Sequence, residues 1–229
     1  MPWQLRSQML AEKVGITKRH HKLSTGSWVT AALLTIALLS GCGATRPSRY
    51  YELTVPPEPA PTTHPDAVPV TLLVGMLMTS HLYREDRIVF GSGPEEMGTY
   101  EYQRWAEPPA EMIQEILLRE LRTTGHYRTV QTWRSNVRGD YVIRGRLYDF
   151  KEVTGNPVSA RVTFDLEMRD QKSGATVWTH FYSHDQPASR KDVEGIVAAL
   201  DQNVQEAIKG VVASLEQYFN SHPVANPGK

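Results

Sequence analysis

The sequence predicts an α+β domain, a mostly antiparallel or mixed sheet covered by two helices, the second of them long and C-terminal. Three observations carry this. Residues 160–169 alternate strictly: Ala160, Val162, Phe164, Leu166 and Met168 against Arg161, Thr163, Asp165, Glu167 and Arg169, the period of a strand with one buried and one wet face. Val193, Ile196, Val197, Leu200, Val204, Ile208, Val211, Leu215 and Phe219 recur at the 3–4 spacing of one helix face. Residues 70–77 form a nearly continuous apolar run, the mark of a strand covered on both sides.

In chain order, the first 41 residues read as a leader. Lys18, Arg19 and Lys22 precede an apolar run at 28–39, followed by Leu39, Ser40, Gly41 and Cys42. The run is well short of the roughly 20 apolar residues that span a bilayer and suits the apolar core of an export signal. Leucine, two small residues and a cysteine make the lipobox of a bacterial lipoprotein signal peptide. The domain is therefore expected to be preceded by such a leader at 1–41, with Cys42 carrying diacylglycerol and an N-acyl chain such as palmitate. Cysteine suits the task because a thiolate is a far better nucleophile than a hydroxyl near neutral pH. A core cysteine after a buried helix would also follow apolar residues, but would not explain the basic cluster. Met9 is an alternative start to Met1.

Residues 42–49 are a lipidated tether; the seven beyond Cys42 reach about 25 Å when fully extended. Gly43 follows the cysteine, where an aspartate would favour inner-membrane retention, so the expected location is the outer membrane, facing the periplasm. The domain proper is assigned to 50–220. Residues 50–53 are a short strand, and six prolines punctuate 56–69, an extended loop that serves as a connection or, alternatively, as a recognition segment. Strands are expected at 70–77, 87–90 and 99–105, with a turn at 91–94. Pro108 and Pro109 open a helix with the stripe Ile113, Ile116, Leu117 and Leu121, stopped by Gly125. Strands at 127–130, 141–151 and 160–169 follow. A turn at Ser173 and Gly174 leads into a hairpin partner at 176–182. Ser189 and Asp192 supply the N-cap of the last helix. Its stripe could serve as a coiled-coil seam, but so many strands need a cover that packing on the domain's own sheet is the expected fate. Residues 221–229 form a flexible tail.

Five of the 25 basic side chains and one of the 25 acidic ones precede Cys42, leaving 20 and 24. A mildly acidic chain lacks the basic stripe of a nucleic-acid binder. Cys42 is the only cysteine, so no intrachain disulfide forms and the fold must hold by packing. Catalytic and metal signatures are absent: no Gly-x-Ser-x-Gly, His-Glu-x-x-His, Cys-x-x-Cys or nucleotide loop. His180 is placed in a strand and His184 in the loop after it, so their spacing of four is not helical ligand geometry. Asp165 and Glu167 fall on the solvent side of their strand and read as solubilising charges.

Residues Tyr50-Tyr51-Glu52-Leu53 resemble the start of the ABC-type transport auxiliary lipoproteins, the PqiC-like group. Residues 86–90, the strand at 100–105 and the stretch Ala106-Glu107-Pro108-Pro109-Ala110-Glu111-Met112 resemble that family's central signature, with Arg104 to Pro108 the most specific part. Glu52 departs from the usual threonine. The resemblance implies a non-catalytic partner of an MCE-domain protein and an ABC-type or related permease, in systems that move phospholipid between two membranes. It implies no cofactor beyond the lipid on Cys42, and leaves a homo-oligomer open. For the contact surface the candidates are Tyr83, Arg84, Asp86, Arg87, Tyr100, Tyr102, Arg104 and Trp105, because aromatics and arginine dominate interface hot spots. The competing placement puts Trp105 under the helix start and Tyr100 and Tyr102 in the core. An envelope-assembly or cell-wall lipoprotein, and a carrier holding lipid in a groove between sheet and helix, are the alternative functions.

Overall fold

The computed structural model describes residues 46–60, 67–93 and 95–224; the leader, Cys42 and the last five residues lie outside them. Nine strands make one mixed sheet: β1 (Arg49–Tyr51), β2 (Val68–Val74), β3 (Met78–Thr79), β4 (Arg87–Gly91), β5 (Gly98–Trp105), β6 (Tyr127–Thr132), β7 (Tyr141–Val153), β8 (Ser159–Asp170) and β9 (Thr176–Pro187). Two helices, α1 (Pro109–Thr123) and α2 (Val193–Ser221), complete the fold.

The sheet is organised on β7. One edge of this 13-residue strand pairs antiparallel with β8, which pairs antiparallel with β9. The other edge is shared in sequence by three parallel strands: β2 at Leu72–Val74, β3 at Met78–Thr79 and β4 at Val89–Gly91. Beyond β2 lies β6, and beyond β4 lie β5 and then β1. A bulge at Tyr148, where the register slips between Leu147 and Asp149, bends β7 between these partners.

Both helices cover one face. Pro109 stands in the first turn of α1, whose buried side is Met112, Ile113, Ile116, Leu117 and Leu121. Asp192 caps α2 by accepting from the Gly195 N–H at 2.8 Å. The apolar stripe of α2 packs on β8 and β9, as a cover for the sheet rather than a seam. Asn203, wholly buried in that stripe, makes the polar joint. Its amide donates to the carbonyls of Ala160 and His184 at 2.9 and 3.0 Å, and its Oδ1 accepts from the Tyr182 hydroxyl at 2.7 Å. Trp178 Nε1 donates to Ser214 further along the helix.

Several elements differ from the sequence reading. Strand β9 continues five residues past Tyr182, so His184 lies in the strand and not in a loop, on the same face as His180. Strand β2 ends at Val74; the Gly75 N–H still donates to the Ile143 carbonyl at 2.9 Å, and 76–77 leave the ladder. Helix α2 runs through Asn220 to Ser221 because Ser221 and His222 bond back to the last carbonyls. The proline-rich segment begins as a strap pinned across the helices. Thr54 donates twice to Asp201, Arg119 donates to the Pro56 carbonyl, and Glu58 pairs with Arg122 at 2.7 Å.

Candidate functional site

The residues singled out for contact fall around β4, β5 and the turn before them, and the structure sorts them by burial. Tyr83 (2 % exposed) and Trp105 (1 %) are core residues, which removes both from any surface contact set. Tyr83 ends a 3₁₀ turn (His81–Tyr83) and points inward because the chain turns there to enter β4; burial, with the charge of Asp149 behind it, pushes its hydroxyl up to about 12. Trp105 is buried in the core and tilts against Phe150, ring centroids 5.3 Å apart. Tyr100 is partly buried: its ring meets Phe90 edge-on and its hydroxyl donates to the buried Glu152 at 2.6 Å, so burial and that carboxylate raise its pKa.

The remaining five lie at the surface or partly so. Pairing sets Arg87 directly opposite Arg104, a repulsive placement on neighbouring strands. It is relieved by Arg104 bonding Asp86 at 2.9 Å and Arg87 turning to Glu85 at 3.6 Å. Arg84 is exposed on the turn. Tyr102 lies beneath the Arg46 guanidinium, 5.6 Å from the ring centroid. This contact fixes where the tether leaves the domain, because β1 runs parallel to β5 (Tyr50 opposite Arg104, Tyr51 opposite Trp105). Arg49 and the Tyr51 hydroxyl both bond Glu194 in the first turn of α2, at 3.2 and 3.0 Å. The end of the domain at which the described chain enters is therefore the end at which α2 begins.

A second surface escaped the sequence reading. The face of β7, β8 and β9 opposite the helices carries a groove of about 560 Å³ lined by Met76, Met78, Tyr148 and Phe181, with Arg144, Arg146, Asp165 and Glu167 around it. Phe181 is 67 % exposed and Met78 62 %. Glu167 pairs with Arg144 at 3.0 Å, and Asp165 accepts from the Tyr148 hydroxyl at 2.7 Å, so both acids serve as surface charges as their alternation implies. The signal available in sequence was Phe181 itself, a large apolar residue in register with solvent-side positions of its strand.

Among the described residues no cluster of His, Cys, Asp or Glu could hold a metal ion, and no helix is long and apolar enough to cross a membrane.

Comparison with known proteins agrees with this architecture. A Xanthomonas campestris protein of the DUF330 family superposes with a TM-score of 0.63 at 19 % identity, covering 74 % of this chain and 98 % of its own. A second solved structure, described only as an uncharacterized protein, gives 0.59 at 10 % identity over 74 % of this chain and 99 % of its own. At these identities the likeness is one of fold. No curated protein matches. The family model for the ABC-type transport auxiliary lipoprotein component matches residues 51–212, from the last residue of β1 to well inside α2. The chain belongs to the ABC-type transport auxiliary lipoprotein component family.

Proposed function

We propose that this protein is a non-catalytic, lipid-anchored component of an intermembrane phospholipid transport system, docking an MCE-domain protein at the outer membrane beside its ABC-type or related permease. The supporting observation is the family match, which begins nine residues after Cys42 of the sequence Leu39-Ser40-Gly41-Cys42. Acyl chains on Cys42 contribute about 0.8 kcal/mol per buried CH₂, and two or more chains hold a protein on a bilayer durably. Gly43 after the cysteine favours the outer membrane.

Anchoring and the first docking candidates fall on the same part of the domain. The anchor pulls on β1, which is hydrogen-bonded to β5 and tied through Glu194 to α2, so the tether is continuous with the rigid part of the fold. Tyr102 and Arg104 lie next to this exit and are the first contact candidates. A lipid carrier cavity between sheet and helices has no support in the packing. That space is filled by Phe164, Val162, Leu200, Val204, Ile208 and Val211, each at most 1 % exposed.

Two measurements test the proposal. Radiolabelled palmitate should enter the protein in cells and be lost in Cys42→Ser, which should also leave the outer-membrane fraction. The full-length lipoprotein in detergent should capture the MCE-domain protein encoded nearest its gene, and Tyr102→Ala or Arg104→Ala should weaken capture. Absence of label, or of any capture by the unaltered protein, overturns the reading.

A further inference from the structure

Four strands of the sheet have a single partner, the two-residue β3 together with β1, β6 and β9, and they are not equally protected. A free strand edge presents a row of unpaired N–H and C=O groups, and proteins blunt such edges by keeping them short, covering them or charging them. Strand β1 is three residues long. Strand β6 lies under α1, and Arg122 Nε donates to its Val130 carbonyl at 3.0 Å. Strand β9 is 12 residues long and contains no lysine or arginine. Its guards are confined to its ends: a bulge at Val177, where the register slips, and Pro187, which has no N–H.

The direction of the groups between those guards follows from the ladder. The Ala188 N–H donates to the Val158 carbonyl at 3.0 Å, so those two residues form a hydrogen-bonded pair. Antiparallel pairs alternate between bonded and non-bonded, and the register from Ser159–Pro187 to Glu167–Thr179 is unbroken. His180, Tyr182, His184 and Gln186 therefore turn their main-chain groups toward β8. Thr179, Phe181, Ser183 and Asp185 turn theirs outward, where none has a hydrogen-bond partner among the described residues. Their side chains stand on the helix-free face, and Thr179 and Phe181 border the groove of Met76, Met78 and Tyr148.

We infer that β9 is a strand-addition site for an extended segment of the MCE-domain partner, one with an apolar side chain placed to enter the groove beside Phe181. The main-chain ladder would supply affinity and the groove side-chain selectivity, the usual division when a peptide extends a sheet. The occupant rests on the function proposed above, and so does the choice against a second copy. Helix α2 runs antiparallel to β9, since Tyr182 meets Asn203 and Trp178 meets Ser214. Glu194, at the tether exit, is nine residues before Asn203, about 13 Å along the helix at 1.5 Å per residue. A two-fold β9–β9 pair centred on Tyr182 would set the two exits about 27 Å apart along the strands and facing opposite ways. Two copies standing upright on one bilayer by short tethers cannot form it.

The test uses the full-length lipoprotein in detergent and the purified MCE-domain protein encoded beside it. Amide exchange at Thr179, Phe181, Ser183 and Asp185 should slow on mixing. Thr179→Pro removes one outward N–H without touching the β8 ladder and should weaken capture about tenfold, the worth of one or two main-chain hydrogen bonds. Phe181→Ser, which keeps the backbone, should weaken it too, and both variants should retain the parent's melting temperature within a few degrees. Capture unchanged by Phe181→Ser, with exchange at the four amides unaltered, overturns the edge assignment and leaves the proposed function standing. A dimer seen by light scattering and abolished by Thr179→Pro overturns it in favour of a second copy. No capture by the unaltered protein overturns the proposed function and this occupant together.

Discussion

Replacing Asn203 by alanine should destabilise the protein by about 3 kcal/mol, at roughly 1 kcal/mol for each of three hydrogen bonds. The amide holds three partners on two strands: Ala160 in β8, and His184 and the Tyr182 hydroxyl in β9. With the site wholly buried, water cannot replace the amide without opening the helix–sheet seam. Tyr182→Phe breaks one of the three and should cost about 1 kcal/mol, since the ring and its stacking on Phe164 remain. The double variant should cost less than the sum of the singles, by about 1 kcal/mol, because the shared bond is counted once. Guanidinium unfolding followed by far-ultraviolet circular dichroism reads all four states, provided the slopes agree. A loss below about 1 kcal/mol for Asn203→Ala, or strict additivity, would refute the view that this residue ties α2 to the two strands.

Two further outcomes are expected. Gly145→Ala should destabilise by about 3 kcal/mol, because the new methyl group would run into the Asp165 carbonyl and the Leu166 side chain and force β7 and β8 apart; a melting point equal to the parent's would contradict this. His180, stacked on Trp178, has its pKa lowered from the ordinary 6.5 by burial. Its contribution to stability is therefore whole above pH 6.5 and declines as the pH falls, since the unfolded chain then takes up the proton first. Melting temperatures at pH 7.5 and 5.5 should differ less in His180→Gln than in the parent.

Local pattern was enough for the elements whose faces are strongly unequal. The alternation at 160–169 became β8, and the stripe from Val193 to Phe219 became the buried side of α2. What local pattern does not contain is the partner. Nothing near Leu72, Met78 or Val89 announces that all three meet the same edge of β7, because parallel pairing joins segments far apart in the chain. The polar end of β9 (Ser183, His184, Asp185) has a loop's composition, and pairing with β8 overrides it. Asn203 interrupts an apolar stripe and looks like a defect until its three partners are seen. Among the contact candidates, Arg104 and Tyr102 stay partly exposed, whereas the inward turn of Tyr83 depends on a 3₁₀ turn that its sequence does not mark.

The shared edge of β7 also sets a timetable. Residues 141–221 can assemble from neighbours in sequence, two hairpins followed by a returning helix. The strands before them pair with one another, β4 with β5 and β2 with β6, but they cannot join into one sheet until β7 is made after residue 140, and loops that long close slowly. A chain made from its N-terminus therefore holds one edge of β2, at the apolar 72–74, and one edge of β4 open until β7 appears. That delay makes the first half of the domain the part most in need of a chaperone.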